Sequence, residues 1–240
     1  FVLALIAGAL AGAVTGILTT KLRIPALLAG ILTMIGLYSV NLHVMGKSNI
    51  GLLQDETVFT ILENSLGLSV AVSGLAVGLI FAALIAVILY WFFGTELGCA
   101  IRATGSNPAM SRAQGINTDM TKIIGLMLSN GIVALSSGLL AQYQGFADIN
   151  MGRGAIVIGL AAIVIGEVLM GRLTSFYWKL TSVVVGSVIY FVIRAVVLRM
   201  GMDANDMKLL SAAIVALALC IPVALAKYRL RKDYSEGGEE

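Results

Sequence analysis

A single histidine, His43, and two cysteines, Cys99 and Cys220, narrow the chemistry open to this chain of 240 residues. One cysteine lies beside a charged loop and the other inside an apolar run, so neither a disulfide framework nor a cysteine metal site is legible. One histidine leaves few acid–base options, and no Ser/His/Asp set assembles around it. The stretch from Asn41 to Gly46-Lys47-Ser48 has the Gly-Lys-Ser end of a phosphate loop but lacks its first glycine. Two ionisable side chains, Glu167 and Arg194, interrupt apolar sequence, where a charge marks a candidate gate or substrate contact. The plainer reading pairs Glu167 with Arg172 or Lys179, and lets Arg194 reach outward along its own stem.

Two segments carry more. The first is the polar stretch 94–122, which contains Gly105, Asn107-Pro108, Arg112-Ala113 and Gly115-Ile116-Asn117. Asn107 can cap a helix by accepting an N–H of its first turn. Pro108 suits the first helical position, and Gly115 supplies a left-handed stop. About two turns over 108–114 follow, hung between flexible ends. A helix that short does not persist in water, so it needs a surface to dock on: lipid headgroups or a partner protein. The second segment repeats Ser129-Asn130-Gly131, Ser136-Ser137-Gly138 and Tyr143-Gln144-Gly145 at seven-residue intervals. Seven residues make nearly two turns, so the triplets stack along one face, which is expected to point inward. Polar groups at membrane depth need water or another helix. Asn130, Ser137 and Gln144 are therefore candidate pathway residues, with a hydrogen-bonded helix interface as the alternative. Tyr38, near the outer end of another apolar run, is a weaker candidate beside its ordinary reading as an interface anchor.

The elements that must position these residues follow from composition. The chain is 59% hydrophobic and 12% charged, about half the charge of a soluble domain. Uncharged runs cover 1–20, 24–46, 64–95, 123–147 and 209–226, and about 20 apolar residues cross a hydrocarbon core. Soluble enzyme, nucleic-acid binder and disordered chain are excluded. The fold expected is an all-α polytopic bundle of about seven membrane segments. The second opens with Pro25 in its first turn, and a short interfacial helix is possible near 58–62. The fifth, 154–170, is short or broken. The sixth runs from 180 to about 198 through Arg194, and the seventh, 209–226, is kinked by Pro222. Ala4, Gly8, Gly12 and Gly16, and Gly74 with Gly78, have the four-residue spacing that lets helices pack closely in lipid. A weak likeness between 27–40 and 157–169 suits any transporter with internal repeats.

Orientation follows from lysine and arginine. With 94–122 in the cytoplasm, eleven of the 16 basic residues lie inside and five outside. Residue 1 is then outside, and the phosphate-loop-like stretch faces away from ATP. The tail 227–240 is inside, its acidic end expected to be disordered.

Arg102-Ala, Gly105, Asn107, Ala113 and Gly115-Ile-Asn117-Thr118 resemble the cytoplasmic-loop signature of ABC importer permeases for branched-chain amino acids and simple sugars. The run 154–171 is similar to the subgroup associated with aromatic or hydrophobic amino acids. The resemblance covers about 7–226. It implies a type II ABC importer-like fold and a single permease domain over 1–240, in a bacterial cell membrane. It implies no catalytic site in this chain: ATP and Mg belong to partner ATPase subunits. Other implied partners are an extracytoplasmic binding protein and a second, identical permease copy. Arg102, Gly105, Asn107, Pro108, Arg112, Ala113, Gly115 and Asn117 would form the ATPase contact. Outer charges at Arg153, Arg199, Asp203, Asp206 and Lys208 would suit binding-protein docking. Starting on Phe1 without a Met, this chain is expected to be part of a longer one, and it departs from permeases of this group, which begin with one or two further helices and a gating segment. The competing functions are a gradient-driven carrier and the same permease role for a sugar or nucleoside; an intramembrane enzyme ranks last.

Overall fold

The computed structural model describes residues 1–52, 57–61, 67, 69–152, 155–170 and 175–201, with isolated positions 209, 212, 213, 216 and 220. Five helices among them are long and apolar enough to cross a membrane. The chain divides into two compact units, Phe1–Gly152 and Arg153–Glu240.

The first unit runs α1 (Val2–Thr20), α2 (Ala26–Met45), β1 (Asn49–Gly51), α3 (Val70–Phe93), α4 (Glu96–Ser106), α5 (Pro108–Ala113), α6 (Thr118–Gln144) and β2 (Phe146–Asp148). Its main contact is α1 against α6. The glycine stripe on α1 makes that contact possible. A Cβ at Gly8 would sit 2.5 Å from the Asn130 carbonyl oxygen, one at Gly12 would overlap the Leu126 carbonyl, and one at Gly16 would meet Ile123 Cα at 2.9 Å. Partners on α6 fall in number as those on α1 rise, so the helices are antiparallel. Two backbones that approach this closely gain dispersion contact along their whole length, which is the drive available where lipid is as apolar as leucine. On a second side of α1, Thr15 donates to Thr33 of α2 at 2.9 Å, and Ala29 is buried beneath the pair.

The other proposed glycine pair divides. A Cβ at Gly74 would overlap the ring of Tyr143, whereas one at Gly78 would meet nothing within 4 Å. Spacing alone marks both; only the first has a neighbour. Pro25 caps α2 instead of entering its first turn, and its carbonyl accepts the Ala29 N–H. Residues 58–61 are helical, as the sequence suggests. Phe59 is buried there with its ring edge-on to Tyr143 at 5.4 Å, and the Val58 N–H points to Gln142 Oε1 at 3.4 Å. Strands β1 and β2 pair antiparallel, with Ile50 opposite Ala147. The sequence gives no sign of this ribbon, since three-residue strands hold too few positions for an alternating pattern.

The second unit contains α7 (Ala155–Met170) and α8 (Phe176–Arg199), packed on each other. Again glycine sets the distance: Cβ atoms at Gly166 and Gly186 would overlap the Ser182 and Ala162 carbonyls. Tyr190 is buried. Helix α7, the short fifth segment, is continuous, and α8 passes through a half-buried Arg194 without a break. The seventh segment, 209–226, with its Pro222, falls outside the described residues apart from isolated positions, as do the tail 227–240 and the outer charges Arg153, Asp203, Asp206 and Lys208.

Candidate functional site

The stretch after α3 is more ordered than the two flexible ends expected of it. Thr95 caps α4 by accepting the Gly98 N–H at 3.3 Å, and α4 then runs eleven residues to Ser106. The sequence reading missed this helix because small and polar residues interrupt its apolar positions. Its Thr104 is 2% exposed and shares a hydroxyl–hydroxyl hydrogen bond with Thr121 of α6 at 3.0 Å.

At Asn107 the backbone turns extended, and the side chain accepts the Met110 N–H at 3.1 Å. Pro108 follows in the first turn, and α5 ends at Ala113 with Gly115 at φ +85°. The predicted caps are therefore in place, one residue short of the predicted end. Asn117 then caps α6, accepting the Met120 N–H at 3.1 Å. Two asparagines ten residues apart thus start two consecutive helices, a function for Asn117 that spacing alone does not reveal.

Arg112 ties the two helices together. Its Nη2 donates to Thr118 Oγ1 at 2.7 Å and reaches Asp119 Oδ1 at 3.4 Å. Thr118 is 1% exposed, so the guanidinium satisfies a buried hydroxyl from outside. Ser111, also buried, donates to the Asn107 carbonyl at 3.0 Å. Two turns of helix are thereby pinned at both ends and along one side. Their outer side is open: Arg102, Gly105, Asn107, Pro108, Arg112, Ala113, Gly115 and Asn117 are all exposed, and Met110 is 59% exposed among them. Removing the interhelical hydroxyl by Thr104→Val should cost about 1 kcal/mol. The loss stays small because Thr121 retains the Thr118 carbonyl as acceptor at 3.1 Å. A thermal melt in detergent should show a lowered midpoint with the same helical content.

On the polar seam of α6, the glycines of the first two triplets take the side that faces α1. Gly131 and Gly138 lie against Leu5 and Ala4 of α1. Ser137 and Gln144 are exposed on the first unit, and Asn130 is half-buried. Adjacent residues of a triplet point about 100° apart, so glycine can face α1 only if its polar neighbour turns aside. Asn130 Nδ2 donates to the Leu126 carbonyl at 2.9 Å and Ser137 Oγ to the Val133 carbonyl at 2.9 Å. Each side chain thus places one donor on its own helix, four residues back. Tyr38 is 40% exposed on α2. Glu167 is exposed on α7 and makes no ion pair with Lys179; Arg172, its other expected partner, lies outside the described residues. Sequence reasoning also missed Phe59 and Gln142, which with Gly74 gather around Tyr143 at one end of the seam.

The phosphate-loop-like stretch is built in the wrong order for phosphate. Helix α2 precedes Gly46, which closes it at φ +66°, and a strand follows; a phosphate loop needs strand, loop, then helix.

Residues 1–223 match the family of branched-chain amino acid transport system permease components. The chain belongs to that family. It is 40% identical over 213 residues to a protein of Clostridioides difficile named tyrosine transport system permease protein, covering 89% of this chain and 69% of that relative. It is also 33% identical over 221 residues to an uncharacterised protein of Rickettsia prowazekii, covering 91% of this chain and 76% of the other. No solved structure matches it. The permease is thus a multi-pass inner-membrane component of an ABC amino-acid importer. Within it, the α4–α5–α6 corner is held by side-chain caps at Thr95, Asn107 and Asn117 and by Arg112.

Proposed function

We propose that this permease conducts an amino acid with a large apolar or aromatic side chain, and that α5 is the lever by which a cytoplasmic ATPase drives it. The observation that carries the second half is the exposed, doubly capped helix between α4 and α6. A helix of six residues has no stability of its own, yet here Asn107, Arg112, Ser111 and Asn117 fix it to the foot of α6. A push on α5 is therefore delivered to a 27-residue membrane helix. Gly105 adds support: its φ does not demand glycine, and a Cβ there would meet nothing within 4 Å among the described residues, which leaves room for a partner's backbone.

In this reading 94–122 and the tail 227–240 are cytoplasmic and both units work as one permease domain. ATP and Mg are bound by the ATPase and not by this chain. A binding protein delivers substrate from outside, and a second permease copy completes the pathway. Asn130, Ser137 and Gln144 line it, with Tyr38 and Glu167 as outlying contributors. The exposure of Ser137 and Gln144 supports a face completed by something beyond the first unit. The substrate class draws on the name of the Clostridioides difficile relative.

The test is isolation of the intact complex from membranes. It should yield an ATPase and a binding protein with the permease, and tyrosine or phenylalanine should displace label from that binding protein better than ribose. A pull-down without an ATPase, coupled with uptake driven by an ion gradient alone, would replace this reading with a secondary carrier.

A further inference from the structure

At one end of the α1–α6 pair, the turn after α1 and the start of α6 enclose an open groove of about 780 Å³. Lys21, Arg23, Arg112 and Lys122 line it, against a single carboxylate, Asp119. Asp119 is engaged by Arg112, while Lys21, Arg23 and Lys122 form no ion pair among the described residues. Among the described residues, then, three cations share the groove with one carboxylate that Arg112 already engages, an arrangement that favours entry of an anion.

The backbone supports the same conclusion. Arg23 has φ +56°, and is the one non-glycine residue with positive φ among those described. A left-handed conformation is costly for a side chain with a Cβ. At the same position glycine would carry no such cost, so retaining a long guanidinium there points to a use for it in the groove. The amino end of α6 contributes as well: Asn117 and Thr118 line the cavity at the positive end of the helix dipole.

We propose that this groove binds the phosphate of an anionic phospholipid headgroup. Location favours a lipid over a free anion. Helices α1 and α6 both span the bilayer by length and composition, and the groove lies where one ends and the other begins, at headgroup depth. Basic pockets between membrane helices are suited to such headgroups. A bound phosphate would bridge the α1–α2 turn to Arg112, and so brace the foot of α5 from the membrane side. The inference rests on the membrane span of α1 and α6 and not on any ATPase contact.

The experiment uses the full-length protein purified from membranes in neutral detergent, with lipid binding followed by native mass spectrometry. Probes are phosphatidylglycerol, phosphatidylcholine and inorganic phosphate. Wild type should retain phosphatidylglycerol and not phosphatidylcholine, and the triple variant K21Q/R23Q/K122Q should bind it at least about tenfold more weakly. Arg23→Gly should weaken it about fivefold, with folding protected because glycine suits that φ. Lys47→Gln, at the other end of α2, should leave binding unchanged. Equal retention of the two lipids, or full retention by the triple variant, would overturn the proposal. Release of phosphatidylglycerol by millimolar inorganic phosphate would assign the groove to a free anion instead. If the triple variant keeps its lipid but loses a co-purifying ATPase, the groove is a protein interface and the proposal fails.

Discussion

Replacing Gly115 by valine is expected to lower uptake tenfold or more while the protein still inserts and folds. Gly115 sits at φ +85° with open space where a Cβ would go, so no clash arises and the whole penalty is dihedral. A β-branched residue in the left-handed region costs about 1–2 kcal/mol or more. The chain escapes that cost by changing φ, and two bonds then fail: Gly115 N–H to the Arg112 carbonyl and Ile116 N–H to the Ser111 carbonyl, both 3.0 Å. They close the carboxyl end of α5, where the chain turns towards α6. Under the proposed coupling role, their loss would slacken α5 at the turn that leads into α6. Asparagine tolerates this region better than other side chains, so Gly115→Asn should recover much of the lost coupling. The readouts are substrate uptake and stimulation of ATP hydrolysis by loaded binding protein. A valine variant that couples normally would show that this turn transmits nothing.

Gly12→Leu should act on folding instead. The added Cβ overlaps the Leu126 carbonyl, and backbone cannot step aside as a side-chain tip can. Forcing α1 from α6 should cost about 3 kcal/mol or more, the upper range of overpacking, and strip contact from the main packing of the first unit. Expected are a sharply reduced yield of monodisperse protein and a melting midpoint lower by several degrees. The control is Gly78→Leu, at a site of equal spacing and open surroundings, which should shift stability by no more than about 0.5 kcal/mol. A neutral Gly12→Leu would mean the two helices do not meet along this stripe.

How much of this was legible in the sequence depended on how local the physics is. The caps at Asn107, Pro108 and Gly115 could be read because each is a contract between residues three or four apart. The spans could be read because length and polarity decide them. The stripe of α1 was visible, but its partner was not, since nothing in residues 4–16 specifies the 123–134 face against which it packs. Gly78 shows the same limit from the other side: the spacing is present, the neighbour is absent. Helix α4 was lost because Gly98, Thr104 and Gly105 dilute its apolar face, and its decisive contact, Thr104 to Thr121, spans two elements. The seven-residue spacing of Asn130, Ser137 and Gln144 was legible, but what their face meets was not, since the neighbouring glycines that pack on α1 point about 100° away from them. The grouping of Phe59, Gln142 and Gly74 around Tyr143 depends on contacts across long sequence separations, which no local pattern carries.

The central claim, that α5 is gripped by an ATPase on the cytoplasmic side, is tested most directly by a single reporter on its exposed face. Met110 is 59% exposed there. With Cys99 and Cys220 changed to serine, Met110→Cys in native membranes should cross-link to the ATPase through a short bifunctional reagent, and the yield should change on adding ATP. In intact cells the same cysteine should resist a membrane-impermeant maleimide. Labelling from outside, or cross-linking that never captures an ATPase, would contradict the account.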